Sequence, residues 1–153
     1  MLECFSRVSE QPSIPIKLVV ASQWQAWRQN QPGLIQTWAK SSGFTGEPGQ
    51  ISLVPTAAGG LQCVLLGVSR LDDFLHYGVL PQRLPDGCYH FEEQAFQDKE
   101  QLQQAVMGWG LGSYQFNAYR QCTPISAKLL IPKTIDDDIL EDWKDGAEAY
   151  LGN

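Results

Sequence analysis

The sequence has little of what most hydrolytic centres are built from. Its 153 residues include two histidines, His76 and His90, and neither lies in an HExxH arrangement. No Gly-x-Ser-x-Gly elbow occurs, and carboxylates that are adjacent in sequence point to different sides of a helix or strand. We therefore predict no catalytic residue. One alternative stays open, a small hydrolase that uses Cys88, which would share a strand face with His90 but has no identified third group.

Positive charge is also scarce. The chain has 11 basic and 17 acidic residues, a net charge of −6, and its basic residues are scattered. Such a chain repels phosphate groups, so we expect no nucleic-acid partner and no anionic membrane surface as a partner. No apolar run approaches the roughly 20 residues that span a bilayer. The first residues lack the pattern of a secretory signal, and we expect a cytoplasmic protein.

Patterns typical of metal and cofactor sites are missing as well. The four cysteines are widely spaced, form no CxxC and are expected to be reduced thiols, and the spacing of Cys88 and His90 does not support a zinc site. The acidic run Asp136–Asp138 suits the positive end of a helix dipole. Gly59-Gly60 lacks the Lys-Ser/Thr of a phosphate loop. We predict no metal-binding and no cofactor-binding residue in this chain.

What is present indicates one globular domain over residues 1–153. Apolar residues make up 43% and charged residues 18%, close to the globular average. Strands alternate with helices, which predicts a three-layer α/β/α domain with a mixed sheet flanked by helices. The predicted strands are Ile14–Ala21, a hairpin within Gln50–Val68, Cys88–Phe91 and Ala127–Ile131; the predicted helices are Gln23–Asn30, Gly33–Ser42, a short one in Leu71–Tyr77, one from Asp98, and one over Asp136–Leu151.

The stretch GWGLGSYQFNAYR, residues 108–120, closes the helix that begins at Asp98. Its three glycines allow close backbone approach and suggest the end of that helix. Tyr114 and Phe116 alternate as residues on one face of a strand do, which predicts an extended arm after the helix. These aromatic residues either pack in the core or contact another domain or subunit, and the pattern leaves both possibilities open.

The same stretch resembles the end of the amino-terminal domain in the leucyl (cytosol) aminopeptidase family. The resemblance covers most of residues 14–151 and rests on the shared order of loose motifs. In this sequence they are Trp38 with Ser42-Gly43-Phe44, Gly59-Gly60, Gly67, Leu84-Pro85 with Gly87 and Tyr89, Gly110-Leu111-Gly112, Tyr114, Phe116 and Tyr119-Arg120.

The resemblance implies a macro-like, non-catalytic domain that supports assembly and substrate access. In that family a long helix leads to a carboxy-terminal catalytic domain, in which two divalent metals, Zn or Mn, activate the water that removes amino-terminal residues from peptides. The family's Asn-Thr-Asp-Ala-Glu-Gly-Arg-Leu motif is absent here. Residues 134–153 would begin the linking helix, and the partners would be the chain's own catalytic domain, peptide substrates and the other subunits of a hexamer.

The residues expected at an interface with the catalytic domain or a neighbouring subunit are Tyr114, Phe116, Tyr119, Arg120 and Trp143. The alternative is a stand-alone macro-like module that binds a ligand such as ADP-ribose and has no peptidase activity.

Overall fold

Six strands form one mixed sheet in the order β1-β6-β5-β2-β4-β3. The computed structural model describes residues 5–6, 12–70, 74–92, 95–119, 127–131, 135, 138–142 and 145. The strands are β1 (Phe5–Ser6), β2 (Ile14–Val20), β3 (Ile51–Pro55), β4 (Leu61–Val68), β5 (Gly87–Phe91) and β6 (Ala127–Leu130). The helices are α1 (Trp24–Gln29), α2 (Gly33–Ser42), α3 (Phe74–Tyr77), α4 (Leu80–Arg83) and α5 (Lys99–Tyr119).

The predicted hairpin is confirmed. β3 and β4 pair antiparallel, whereas the other neighbouring strands pair in parallel. The turn is closed by a bond from the amide of Thr56 to the carbonyl of Gly60, and the Gly60 amide donates back to Oγ1 of Thr56. Gly59 has a φ of 94°, which glycine adopts without strain.

Helices cover both faces of the sheet, as the predicted three-layer arrangement requires. Along β2, Ile16 and Leu18 belong to one buried cluster and Val19, which points the other way, belongs to a second. The first cluster packs the sheet against α3, α4 and α5, and the second packs it against α1 and α2. None of the helices in the described residues is long and apolar enough to cross a membrane.

The prediction for the end of α5 was wrong. The helix does not end at the glycines of residues 108–112 but continues through Tyr114 and Phe116 to Tyr119, 21 residues in all. The Gly112 position lies against the backbone of Gly78, between α3 and α4. A glycine is needed there because two backbones approach each other, not because the helix terminates. An extended arm with Tyr114 and Phe116 on one strand face is therefore excluded.

A side-chain cap at Asp98 opens α5, at the residue from which the helix was predicted to start. Asp98 Oδ1 accepts from the Gln101 amide at 2.9 Å, and Gln101 Oε1 accepts from the Gln97 amide at 2.9 Å. These bonds satisfy amide groups that have no partner within the helix. A buried apolar stripe follows at helical spacing, formed by Leu102, Ala105, Val106 and Trp109.

Two elements, β1 and α4, were not predicted. Ile35 on α2 and Trp24 on α1 are buried, while Trp27 and Trp38 are half-buried at the edge of the second cluster. Residues 138–142 and 145 are helical, in agreement with the predicted final helix, and the rest of residues 134–153, except Ile135, lies outside the described residues.

Candidate functional site

A cavity opens where β5 and β6 part. Their register pairs Gly87 with Ala127 and Tyr89 with Leu129, and the described pairing ends there. Beyond this point β5 stays with β2, through the pair Phe91 and Ile16. β6 instead follows β1, since the amide of Ile131 donates to the carbonyl of Ser6 at 3.0 Å. The two carboxyl ends therefore diverge and leave about 230 Å³ between them.

The cavity is mostly apolar, with one polar pair. Its lining residues are Ser13, His90, Phe91, Leu102, Val106, Leu130 and Ile131. Leu102 and Val106 come from the first turns of α5, so the helix closes the gap in the sheet from one side. Ser13 Oγ and His90 Nδ1 lie 2.7 Å apart, a hydrogen bond whose direction depends on the histidine tautomer.

Sequence reasoning missed Ser13. It paired His90 with Cys88 because residues two apart on a strand share a face. The structure adds Ser13, 77 positions away, which precedes β2 by one residue. Only the parallel pairing of β2 with β5 brings the two together, and a single sequence does not determine which strands are neighbours.

An ion pair holds the end of β5 against β2. Lys17 Nζ lies 3.1 Å from Oε2 and 3.3 Å from Oε1 of Glu92, the residue that follows Phe91. Both side chains are partly exposed, so the pair contributes at most about 1 kcal/mol to folding. The ion pair is relevant to the cavity through its position, because it links the end of β5 to β2, the neighbour on the side opposite β6.

The buried thiol of Cys63 has low reactivity. Burial raises its pKa to about 11, an effect that the charge of Lys17 reduces and that of Glu92 reinforces. The thiolate, which is the reactive form, is therefore scarce at neutral pH. Burial also raises the pKa of the Tyr89 phenol to about 12, with a smaller contribution from Asp86, and this hydroxyl donates to the carbonyl of Pro85 at 2.8 Å.

The described residues do not test the predicted interface. The last turns of α5 contain Tyr114, Phe116 and Tyr119. Arg120 and Trp143 lie outside the described residues. Tyr114 and Phe116 were grouped because alternate residues of a strand share a face. In a helix, residues two apart do not share a face. The residue set stays a prediction.

Within the part of the chain that the structure describes, no three His, Cys, Asp or Glu residues are close enough to hold a metal ion. The described residues thus do not fit the two-metal centre that the resemblance implies for the parent enzyme.

The sheet order, the antiparallel edge strand β3 and the helical layers define a mixed α/β domain. The chain matches the family model described as M17 aminopeptidase, N-terminal domain, over residues 14–132. Because this match covers most of the sequence, the chain belongs to that family. A search of curated proteins finds no significant match.

The solved structures similar to this chain include two aminopeptidases. The crystal structure of cytosol aminopeptidase from Coxiella burnetii has 35% sequence identity and a TM-score of 0.81, over 95% of this chain and 31% of that one. A mutant of tomato leucine aminopeptidase has 16% identity and a TM-score of 0.53, over 94% of this chain and 34% of that one, and supports the fold alone. The chain thus spans about a third of the length of these relatives.

Proposed function

We propose that this chain is the non-catalytic amino-terminal domain of a leucyl-type aminopeptidase and supports assembly and substrate access. The observation that carries the proposal is the match to cytosol aminopeptidase over 95% of this chain but 31% of the relative. The remaining length is sufficient for a catalytic domain. That domain would hold two divalent ions, Zn or Mn, which would supply the activation of water needed for peptide hydrolysis. The localisation that follows is cytoplasmic.

The proposal assigns hydrolysis to the catalytic domain and none to this chain. The isolated 153-residue chain, with Mn²⁺ added, is expected not to release p-nitroaniline from leucine p-nitroanilide, whereas the native full-length protein is expected to release it. The chain's mass by itself is 17.1 kDa. A native protein of that mass, detected with an antibody against this chain, would contradict the proposal, as would hydrolysis by the isolated chain.

The assembly role is proposed for the end of α5 and the residues beyond it, namely Tyr114, Phe116, Tyr119, Arg120 and Trp143. Aromatic residues and arginine contribute most to protein interfaces because they bury large areas with little loss of side-chain entropy. The partners are the chain's own catalytic domain and the neighbouring subunits of a hexamer. The helical linker over residues 134–153 would join the two domains.

The interface is tested by truncating single aromatic side chains in the full-length protein. Phe116→Ala and Tyr119→Ala are expected to shift the oligomer toward smaller species in sedimentation velocity. The matched control is Leu34→Ala, because Leu34 on α2 is 49% exposed and lies far along the chain from α5. A hexamer that both α5 variants leave intact at low concentration would refute the assembly role.

A further inference from the structure

We propose that the cavity between the diverging ends of β5 and β6 binds a small aromatic molecule that carries one hydrogen-bond donor, such as phenol or indole. The proposal is independent of the proposed function, because such binding can be measured in a chain without peptidase activity. It rests on the size of the cavity, the rigidity of its apolar wall and the chemistry of its polar pair.

The cavity volume sets the size of the ligand. At about 230 Å³, the space is larger than the roughly 150 Å³ cavity that binds benzene in an engineered apolar site. It is smaller than the roughly 300 Å³ at which sites for drug-sized ligands begin. A single ring with a short substituent, or a fused bicycle, matches this volume. A nucleotide does not.

The apolar wall is held in place before any ligand binds. The Phe91 ring meets Tyr77 edge-on at 5.4 Å between centroids and Phe96 at 6.0 Å. Leu102 and Val106 are buried on α5, a helix of 21 residues. A flat apolar ligand therefore binds without ordering these side chains, which removes much of the entropic cost of association.

The Ser13 hydroxyl determines which polar group the ligand is expected to carry. A serine hydroxyl has one donor hydrogen and two acceptor lone pairs. If Oγ donates to His90 Nδ1, both lone pairs remain, and if it accepts from the protonated nitrogen, one remains. In either tautomer of His90 the hydroxyl can accept a hydrogen bond from a ligand. The ligand is therefore expected to carry an O–H or N–H group, as phenol and indole do.

The cavity lies at the carboxyl ends of β5 and β6 and persists because each strand is held by a different neighbour. Phe91 is registered with Ile16 on β2, and Ile131 is bonded to Ser6 on β1. The opening is thus built into the sheet rather than left by a missing side chain.

The test compares phenol with toluene, which has the same shape but a methyl group instead of the hydroxyl. Both are titrated into the full chain by calorimetry, and contacts to the methyl groups of Leu102 and Val106 are read from intermolecular nuclear Overhauser effects. Ser13→Ala is expected to weaken phenol binding about fivefold, the loss of one neutral hydrogen bond, and to leave toluene binding unchanged. Val106→Phe fills the cavity and should abolish the binding of both ligands.

Two controls keep the test decisive. Leu34→Phe adds a ring on the exposed side of α2 and should bind phenol as the unaltered chain does. Because Val106→Phe can disturb folding, the Ser13→Ala comparison stands without it. No phenol binding up to its solubility, contacts away from Leu102 and Val106, or an equal effect of Ser13→Ala on both ligands would each overturn the proposal.

A third ligand distinguishes a tyrosine side chain of a peptide from a free small molecule as the natural ligand. N-acetyltyrosinamide that binds at least as tightly as phenol would identify the tyrosine side chain of a peptide as the natural ligand. Binding of phenol alone would identify a free small molecule. Either result supports the site.

Discussion

Replacing Gly112 by alanine is expected to force α5 away from the segment that joins α3 to α4. A Cβ atom at Gly112 would overlap the carbonyl oxygen of Gly78 and come within 2.6 Å of its Cα. The contact is with backbone, so no side-chain rotation relieves it. The segment cannot move outward easily either, because Tyr77 and Leu80, on either side of it, are fully buried.

The size of the effect follows from two opposing contributions. Alanine is better than glycine inside a helix by about 1 kcal/mol. Overpacking a rigid contact typically costs up to about 3 kcal/mol, and a clash between backbones belongs at the upper end. The net loss in the free energy of unfolding is therefore about 2 kcal/mol, which lowers the melting temperature by roughly 4–8 °C for a domain of this size.

The assay is thermal and urea unfolding followed by tryptophan fluorescence and circular dichroism. The matched control is Gly33→Ala at the start of α2, where a Cβ atom would meet nothing within 4 Å. That variant should stay within about 0.5 kcal/mol of the unaltered chain. A Gly112→Ala chain as stable as the unaltered one would refute the close approach of α5 to Gly78.

Three further predictions concern single bonds and groups. Asp98→Ala removes the cap of α5 and should lower the free energy of unfolding by about 1 kcal/mol in urea titrations, with no change contradicting the cap. Tyr89→Phe removes the bond to Pro85, also at a cost of about 1 kcal/mol. The pKa of Tyr89 in the folded chain, about 12, lies above its value of 10.0 in the unfolded chain. The stabilisation that the neutral phenol provides is therefore complete below pH 10 and is lost as the pH rises through about 12. The Phe variant should lack this part of the decline in the free energy of unfolding at alkaline pH. Iodoacetamide at pH 8 should label half-exposed Cys88 before buried Cys63 in peptide mass spectra, and the reverse order would contradict the burial of Cys63.

Local signals in the sequence were sufficient for most of the fold. The β3–β4 hairpin, the cap at Asp98 and the strand beginning after Asp86 each depend on a few neighbouring residues. Their turn and cap chemistry therefore appears in the sequence itself. The buried stripe of α5 was predictable for the same reason, because helical spacing relates residues three and four apart.

The cavity was not predictable from these signals. It requires Ser13 beside His90 and requires β6 to leave β5 for β1, and both depend on the order of the strands. β1 itself has two residues, too few for an alternating pattern to emerge. Pairings between distant segments are settled by how the layers pack, and that information is spread over the whole chain.

The glycines of residues 108–112 show how one local pattern can have two physical causes. Glycine is common where a helix ends, since it adopts left-handed backbone angles freely, and it is also needed wherever another backbone comes too close for a Cβ atom. At Gly43, which follows α2, the first cause applies: its φ is 74° and a Cβ atom there would meet nothing. At Gly112 the second applies, because the helix continues and Gly78 occupies the space. Sequence alone does not distinguish them, since the deciding atom lies 34 residues away, and it is this contact that lets α5 run unbroken from the cavity to the residues proposed for assembly.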